Sequence, residues 1–485
     1  MSFGGWLREG PAADTRSLVP VRLVLAGAVL ADALARLTDA RLFYSDDGAL
    51  PRAVLVGAEP WRFDLYLLSG SAAFGAVLLL LTALAAVALW LGWRGRMAAA
   101  GAFVLLLSVQ NRNPLVLDGS DGVLLGLLFW SCLLPLSSRW SVDAALASPG
   151  PARVRSWAVA GLLLTAATGL LAADEQRPWI CMAAALLVLL PGAAWDRLAA
   201  RLDRAGRIRI FHDAACSWCP GALRLLATFL VLPRSDVEPA QPWPRADKLM
   251  QANGSWVVID AHDVAHLKWD ALVALLRHSL VLRPLAPLLG LPLWQRPGDA
   301  LHDVLHRQRE RIGALAARLP RPVPAPAPRA ALQALAGLML VVQLAATALA
   351  LGGLPAGLVP VLRPVQLLRL DAWSPPQSAP QAAATPIFAG KLANGAEVDV
   401  LRPGQALDWD VSAAGERRLA LWQGRIADEA NAAERTAYAD YLCARWNAGA
   451  APAARLVSFT MTWVQRGPRA ERRVAGWQEC PGAAP

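Results

Sequence analysis

Two cysteines three residues apart, Cys216 and Cys219 in "RIRIFHDAACSWCPGALRLLATFLVLP" (residues 207 to 233), are the plainest chemistry in this chain. A pair at this spacing can cycle between dithiol and disulfide, one thiolate attacking and the other releasing the product. The stretch before it alternates as a strand does, and Leu223, Leu226, Ala227 and Leu230 after it recur at a helical period. That arrangement predicts Cys216 at a helix N-terminus, where unpaired amides and the helix dipole lower a thiol pKa. Cys219, one turn on and expected to be more enclosed, is then the resolving thiol. Asp213 has two readings, a proton acceptor beneath the pair or a turn and capping residue. Half of a zinc site is the other reading of the cysteines, but no second pair accompanies them. "HDVAH" (262 to 266) and "HDVLH" (302 to 306) place histidines at i and i+4, yet both carry Asp where a metalloprotease helix has Glu. Solvated faces or local hydrogen bonds are the expectation there, and no metal site.

A second polar group lies in a greasy setting. Gln110, Asn111, Arg112 and Asn113 end an apolar run before Pro114, and Asp118 and Asp121 open the next. Polar groups at membrane depth are expensive and suggest a site. These residues suit a polar headgroup or a quinone oxygen. The competing reading is a solvated loop in which Asp118 caps a helix and pairs with Arg112. Of the remaining cysteines, Cys132 and Cys181 sit inside apolar runs and read as inert packing, while Cys443 and Cys480 lie in a polar tail.

The elements that must position these groups are largely apolar. The chain has 485 residues, 55% hydrophobic, with a net charge of +10. Lys248, Lys268 and Lys391 are the only lysines, so the charge is nearly all arginine, much of it in short loops beside apolar runs. That pattern sets membrane topology and argues against nucleic-acid binding. Six apolar segments precede the thiol motif, at about 18 to 37, 65 to 92, 97 to 117, 122 to 137, 156 to 173 and 178 to 195. A seventh covers 330 to 351, after the Pro-rich linker "LPRPVPAPAPR", and an interfacial segment with three prolines follows it. The N-terminus, "MSFGGWLREGPAADTR", has no small-residue cleavage site and reads as retained.

With the N-terminus inside, thirteen arginines from Arg8 to Arg209 collect on the inner face, and only Arg41, Arg52, Arg62, Arg112 and Arg177 fall in outer loops. The thiol segment is therefore expected in the cytoplasm and the tail outside. In the tail, "IFAGKLANGAEVDVL" reads as a hairpin on Asn394-Gly395, "DEANAAERTAYADYLCARWNAG" as a helix and "RLVSFTMTWVQ" as a strand. Two cysteines in a small domain in an oxidising compartment are more often paired than free, so a Cys443 to Cys480 disulfide is expected, with Cys216 and Cys219 reduced at rest. A buried thiol at Cys443 beside a loose Cys480 is the alternative.

Residues 206 to 317 resemble the DCC family of thiol-disulfide oxidoreductases, named for an Asp, Cys, Cys signature that Asp213, Cys216 and Cys219 match; "SWVVID", "WDALVALLRH" and "GDALHDVLHRQRERIG" are also similar to its later elements. The resemblance implies a thioredoxin-like fold. Ala214 stands where the family usually has Gly, and His302 where it often has Tyr. Residues 18 to 198 resemble the HTTM group, membrane domains related to vitamin K-dependent gamma-carboxylase. "SVQNRNPLVLDGSDGVLLGLLFWSCLLPLSSRWSVD" (108 to 143) is the most specific stretch, and "LLRLDAWSPPQSAP" (367 to 380) is similar to their post-helix Trp segment. Carboxylation needs a strong base, thought to be a lysine in that family's membrane domain, and the six-span region here has neither Lys nor His.

The expected architecture is a polytopic α-helical membrane protein with an inserted α/β thioredoxin-like domain and a C-terminal α+β extramembrane domain. Its parts are 1 to 198 (six spans), 199 to 320 (thiol domain), 321 to 329 (linker), 330 to 370 (seventh span and interfacial segment) and 371 to 485 (tail). The expected role is dithiol-disulfide exchange with a protein partner or a membrane quinone, at the inner membrane of a bacterium. The rivals are a non-catalytic membrane assembly or receptor component with a degenerate thiol domain, and a carboxylase-like enzyme.

Overall fold

The computed structural model describes residues 9–58, 64–147, 149–171, 179–202, 206–232, 235–318, 320–324, 329–350, 384–405, 407–409, 417–465 and 471–481. The expected interfacial segment and the Trp segment fall at 351–383, outside the described residues.

Every apolar run contains a helix. After the short strand β1 (Ala12–Asp14) come α1 (Leu18–Thr38), the short α2 (Ala40–Tyr44) and α3 (Arg52–Ala58), then α4 (Ala72–Leu91), α5 (Gly95–Arg112) and α6 (Gly119–Cys132). A short α7 (Val142–Leu146) and β2 (Arg153–Arg155), which pairs antiparallel with β1, lead to α8 (Trp157–Leu171), α9 (Trp179–Leu186) and α10 (Gly192–Leu202). Local chemistry sets the ends. Ser71 accepts the amide of Phe74 to start α4, and Gly92 (φ 66°) closes it in the left-handed conformation. Asp118 and Asp121 form a reciprocal capping box that starts α6.

Among the described residues, three helices are long and apolar enough to cross a membrane: Thr15–Thr38, Ala72–Leu91 and Ala330–Ala348. The sixth run is bent by 103° between Trp179–Leu189 and Gly192–Arg201. Gly119–Cys132 and Trp157–Leu170 are apolar but shorter. Val77, Leu80, Leu81 and Leu84 on α4 are exposed, an apolar face that no described residue covers.

After α10 the chain folds a separate sheet, ordered β4-β3-β5-β6. Its elements are β3 (Ile208–His212), α11 (Cys219–Phe229), β4 (Ser235–Pro239), α12 (Pro244–Asn253), β5 (Val257–Ile259), β6 (Ala265–Leu267) and α13 (Lys268–His278). β3 and β4 are parallel, joined by the α11 crossover, while β5 runs antiparallel to β3 and β6 antiparallel to β5. Ile208, Ile210, Val258, Ala227 and Leu275 form the core on the face that carries α11 and α13. Phe211, Val257, Ile259, Ala246 and Met250 form the core under α12 on the other face. Three further helices, α14 (Ala286–Leu289), α15 (Pro292–Arg307) and α16 (Arg309–Arg318), precede the long α17 (Ala330–Ala350).

α17 returns to the bundle. The indole of the fully buried Trp130 on α6 donates to Gln343 Oε1 (2.9 Å), and Gln343 Nε2 donates to Thr165 on α8 (2.8 Å). A Cβ on Gly161 would run into the Trp130 ring, so only glycine lets α8 approach this closely.

The tail forms an antiparallel sheet ordered β10-β9-β7-β8, from β7 (Thr385–Leu392), β8 (Glu397–Asp399), β9 (Leu456–Gln465) and β10 (Glu471–Glu479), with α18 (Arg417–Arg425) and α19 (Ala432–Asn447). The β7–β8 hairpin turns at Asn394 and Gly395 (φ 83°). Its core, which includes Phe388, Trp422, Tyr438 and Phe459, is continuous with that of the bundle, and Trp422 lies 6.1 Å from Phe43 between ring centroids.

The two non-bundle domains occupy opposite ends of α1. Near its start, Arg22 donates to the carbonyls of Leu136 and Arg139 (both 3.1 Å), beside α7, which packs against α11 of the thiol domain. Near its end, Asp32 accepts from Arg418 of the tail (2.8 Å).

Candidate functional site

Cys216 and Cys219 are joined as a disulfide, with Cα atoms 5.5 Å apart. α11 opens at Cys219, with Pro220 at its second position, and Cys216 lies three residues earlier in a turn. Two sequence expectations are corrected here. The helix begins one turn late because Pro220 suits only a first turn. Cys216 (8% exposed) is also the more enclosed of the two, and Cys219 is half-buried. Exposure therefore gives no ground for naming Cys216 as the attacking thiol. The bond nevertheless brings both sulfurs to the start of α11, where the dipole favours a thiolate released from either.

The turn that presents the pair is held by Asp213. Its Oδ1 accepts from the Ala215 amide (3.0 Å) and Gln241 Nε2 (3.1 Å), while Gln241 Oε1 accepts from the Ala214 amide (3.2 Å). The Cys216 amide donates to the Asp213 carbonyl (3.1 Å), and Arg309 approaches Asp213 Oδ2 at 3.6 Å. Asp213 thus acts as a turn residue, the second of its two readings, with a guanidinium near its outer oxygen. Ala214 is not among the residues of positive φ, so the turn forms without the glycine usual in the DCC pattern. Trp218 lies between the pair and α16, where a Cβ on Gly313 would meet its ring at 2.8 Å.

The histidines do local work. His266 sits between Asp270 (Nδ1, 2.6 Å) and Asp260 (Nε2, 3.2 Å). His302 and His306 stack on α15 with centroids 6.1 Å apart. Burial, with the charges of Arg309 and His302, lowers the His306 pKa. Among the described residues no group of three or more His, Cys, Asp or Glu is disposed to hold a metal ion.

The polar group at the far end of the bundle does not converge on one point. Arg112 is fully buried and donates to the carbonyls of Leu50 (2.8 Å) and Ser45 (3.3 Å), with Asp46 at 3.7 Å. Asn113 donates to the Phe43 carbonyl (3.4 Å) and accepts from the Leu115 amide (3.2 Å), and Asn111 is buried. Asp118 caps α6 as one reading expected, but its ion-pair partner is Arg417 of the tail and not Arg112. The reason is position: Arg112 points back toward the α2–α3 connection, whereas Asp118 faces α18.

Sequence reasoning missed the central charge cluster. Arg36, wholly buried on α1, donates to Asp32 (2.7 Å), Tyr44 (2.8 Å) and Asp121. Arg418 then donates to Asp32, so two arginines and two aspartates balance, and the second arginine comes from the tail. The signal was present, since two ionisable residues four apart inside an apolar run should have a partner. A cavity of about 400 Å³ beside them is lined by Asp32, Asp39, Asp118, Asp121, Arg417 and Arg418 among others. Tyr66 Oη and Arg112 Nη1, both buried, make no hydrogen bond.

In the tail, Cys443 and Cys480 are joined, with Cα atoms 5.4 Å apart and a sequence separation of 37. Cys132 and Cys181 are free, Cys181 buried and Cys132 half-buried. Compared with known proteins, the chain matches no family model, no curated protein and no solved structure.

Proposed function

We propose that this protein is a membrane-bound thiol-disulfide oxidoreductase whose Cys216–Cys219 pair exchanges electrons with a dithiol or disulfide of a partner protein. The observation that carries the reading is the pair at the start of α11, directly after the sheet's parallel crossover strand β3. A four-stranded sheet with one parallel and two antiparallel pairings, so that only β5 runs against the other three strands, and the redox pair at the first helix, is the arrangement expected of a thioredoxin-like domain of the DCC type.

In the exchange, a partner thiolate attacks one sulfur of the disulfide, the S–S bond breaks, and the other cysteine leaves as a thiolate at the α11 N-terminus. A second partner thiolate then attacks the mixed disulfide, releasing the oxidised partner and the reduced pair. Two electrons have moved, and the reverse sequence with an oxidised partner restores the starting disulfide.

The membrane reading rests on the three long apolar helices among the described residues and the exposed apolar face of α4. The inner membrane, with the thiol domain cytoplasmic and the tail outside, is the location the arginine bias favours. The placement of the two domains at opposite ends of α1 supports their lying on opposite sides.

A quinone does not fit as the direct partner of the pair. The unbonded donors Tyr66 Oη and Arg112 Nη1 suit a carbonyl oxygen, but they belong to the far end of the bundle. The 21 residues of α1 separate that end from the thiol domain by about 30 Å. The test of the proposal is the midpoint potential of the Cys216–Cys219 pair in the purified full chain, set against glutathione. A pair that equilibrates with glutathione supports exchange chemistry, and one that stays oxidised at any accessible poise contradicts it.

A further inference from the structure

We propose that residues 281 to 305 of the thiol domain form an apolar strip that rests on the anionic lipid headgroups beside the bundle. This stretch is unlike the rest of the domain surface. Val281 is 60% and Leu293 75% exposed, and Leu288, Trp294, Leu301 and Leu305 are also exposed. On α15 the spacing of Leu293, Leu301 and Leu305 keeps these side chains on one broad face.

The opposite face of α15 explains why this one is left outward. Gly298 lies against the Trp269 ring, Asp299 accepts the Trp269 amide (3.1 Å), and Asp303 pairs with Lys268 (2.9 Å). The helix therefore turns both of its acids toward α13 and presents hydrocarbon to the outside. Around the strip, Arg277, Arg283, Arg296 and Arg307 are all exposed. An apolar face with a tryptophan and a rim of arginine is complementary to an anionic bilayer surface. A protein partner would use the hydrocarbon but has no need of a rim of one sign.

The strip also lies on the side of the domain that meets the bundle. α15 packs on α13, and α13 shares a core with α11. The first turn of α11 abuts α7 of the bundle, where a Cβ on Gly221 would meet Leu146 at 3.1 Å. The chain is tethered as well. Residues 319 to 329, eleven in all, separate α16 from α17 and reach at most about 40 Å. Tethering raises the local concentration of bilayer so far that a weak interfacial affinity suffices.

The inference rests on the reading that α17 crosses a bilayer, and the experiment separates the two. Leu293→Cys, Val341→Cys and Gln251→Cys are each labelled with the environment-sensitive dye NBD in the full chain, in nanodiscs containing phosphatidylglycerol, with and without brominated acyl chains. Val341 is exposed on α17, and Gln251 is exposed on α12, across the sheet from the strip. The expected result is blue-shifted emission and loss of intensity with brominated lipid at 293 and 341, and neither at 251. Adding Arg283→Glu and Arg296→Glu should restore much of the intensity at 293 and leave 341 unchanged. Quenching at 341 with a water-like spectrum at 293 overturns the strip alone. A blue shift at 293 without bromine quenching assigns the surface to a protein and overturns it too, as does equal quenching at 251. No quenching at 341 removes the membrane reading and the strip with it.

Discussion

Replacing Cys443 and Cys480 together by alanine removes a cross-link between a helix and the strand end that would otherwise fray. The bond closes a loop of 37 residues. In the chain-entropy treatment, a loop of that length withholds about 3.8 kcal/mol of entropy from the unfolded tail. Both cysteines are buried, at 2% and 3% exposure, so the packing around them adds to the loss. For a domain of about 100 residues, each kcal/mol shifts the melting midpoint by about 4–8 °C, which puts the expected fall at about 15–30 °C. Docking against the bundle through Trp422, Phe43 and the Arg418–Asp32 pair survives the substitution, so the lower part of that range is the better expectation. The assay is stepwise heating of the purified full chain with brief proteolysis at each step, following loss of the tail on a gel. Wild type and C443A/C480A melting within about 3 °C of one another would refute the reasoning, since the bond would then constrain nothing.

Arg112→Ala should lower the thermal stability of the detergent-purified protein by about 2–4 kcal/mol, because it strips the donor from the buried carbonyls of Leu50 and Ser45. Arg41→Ala, on the exposed side of α2, should stay within about 0.5 kcal/mol, and equal effects would contradict the structural role. Gln343→Ala breaks the Trp130–Gln343–Thr165 link and should cost about 0.6–1.7 kcal/mol for each hydrogen bond, read as faster proteolysis of the linker before α17; an unchanged rate contradicts it. Asp260 should govern the acid limb of the thiol domain. Burial works to raise its pKa, but the amide of Val264, the ring of His266 and the amide of His262 outweigh it, and the net shift is downward. A depressed carboxyl stabilises fully above its unfolded value, near ~3.9, and loses that contribution as pH falls through the folded one. Stability should therefore drop below about pH 4 in wild type and less steeply in Asp260→Asn, as followed by tryptophan fluorescence; superimposable acid limbs contradict this.

Helix positions were legible because seven apolar runs leave little else for the backbone to do in that composition. Where each helix bends or stops short was not legible, since the 103° break before Gly192 depends on packing and leaves no periodic signature. The β7–β8 hairpin could be read from Asn394-Gly395 and β9 from its alternation, whereas β10, "ERRVAGWQE", lies exposed on most positions and shows no clear period. α18 escaped notice because its charged residues look like a solvated surface. They are in fact the partners of Asp32 and Asp118, and no local pattern reports a contact almost 400 residues away in sequence. The cysteine pair was found by spacing alone. Its relative enclosure was misjudged because exposure is set by tertiary packing, which the spacing does not contain.

The central claim is that Cys216 and Cys219 exchange disulfides with a protein partner. It is tested most directly by expressing Cys216→Ser, Cys219→Ser and the double variant in the native host. Membranes are quenched with acid and alkylated, and each variant is resolved on non-reducing gels. The account predicts a mixed disulfide in at least one single variant, lost on reduction and missing from the double variant, because the unreplaced cysteine forms a bond that nothing resolves. Single variants that migrate like the double variant, with the remaining thiol free, would contradict it.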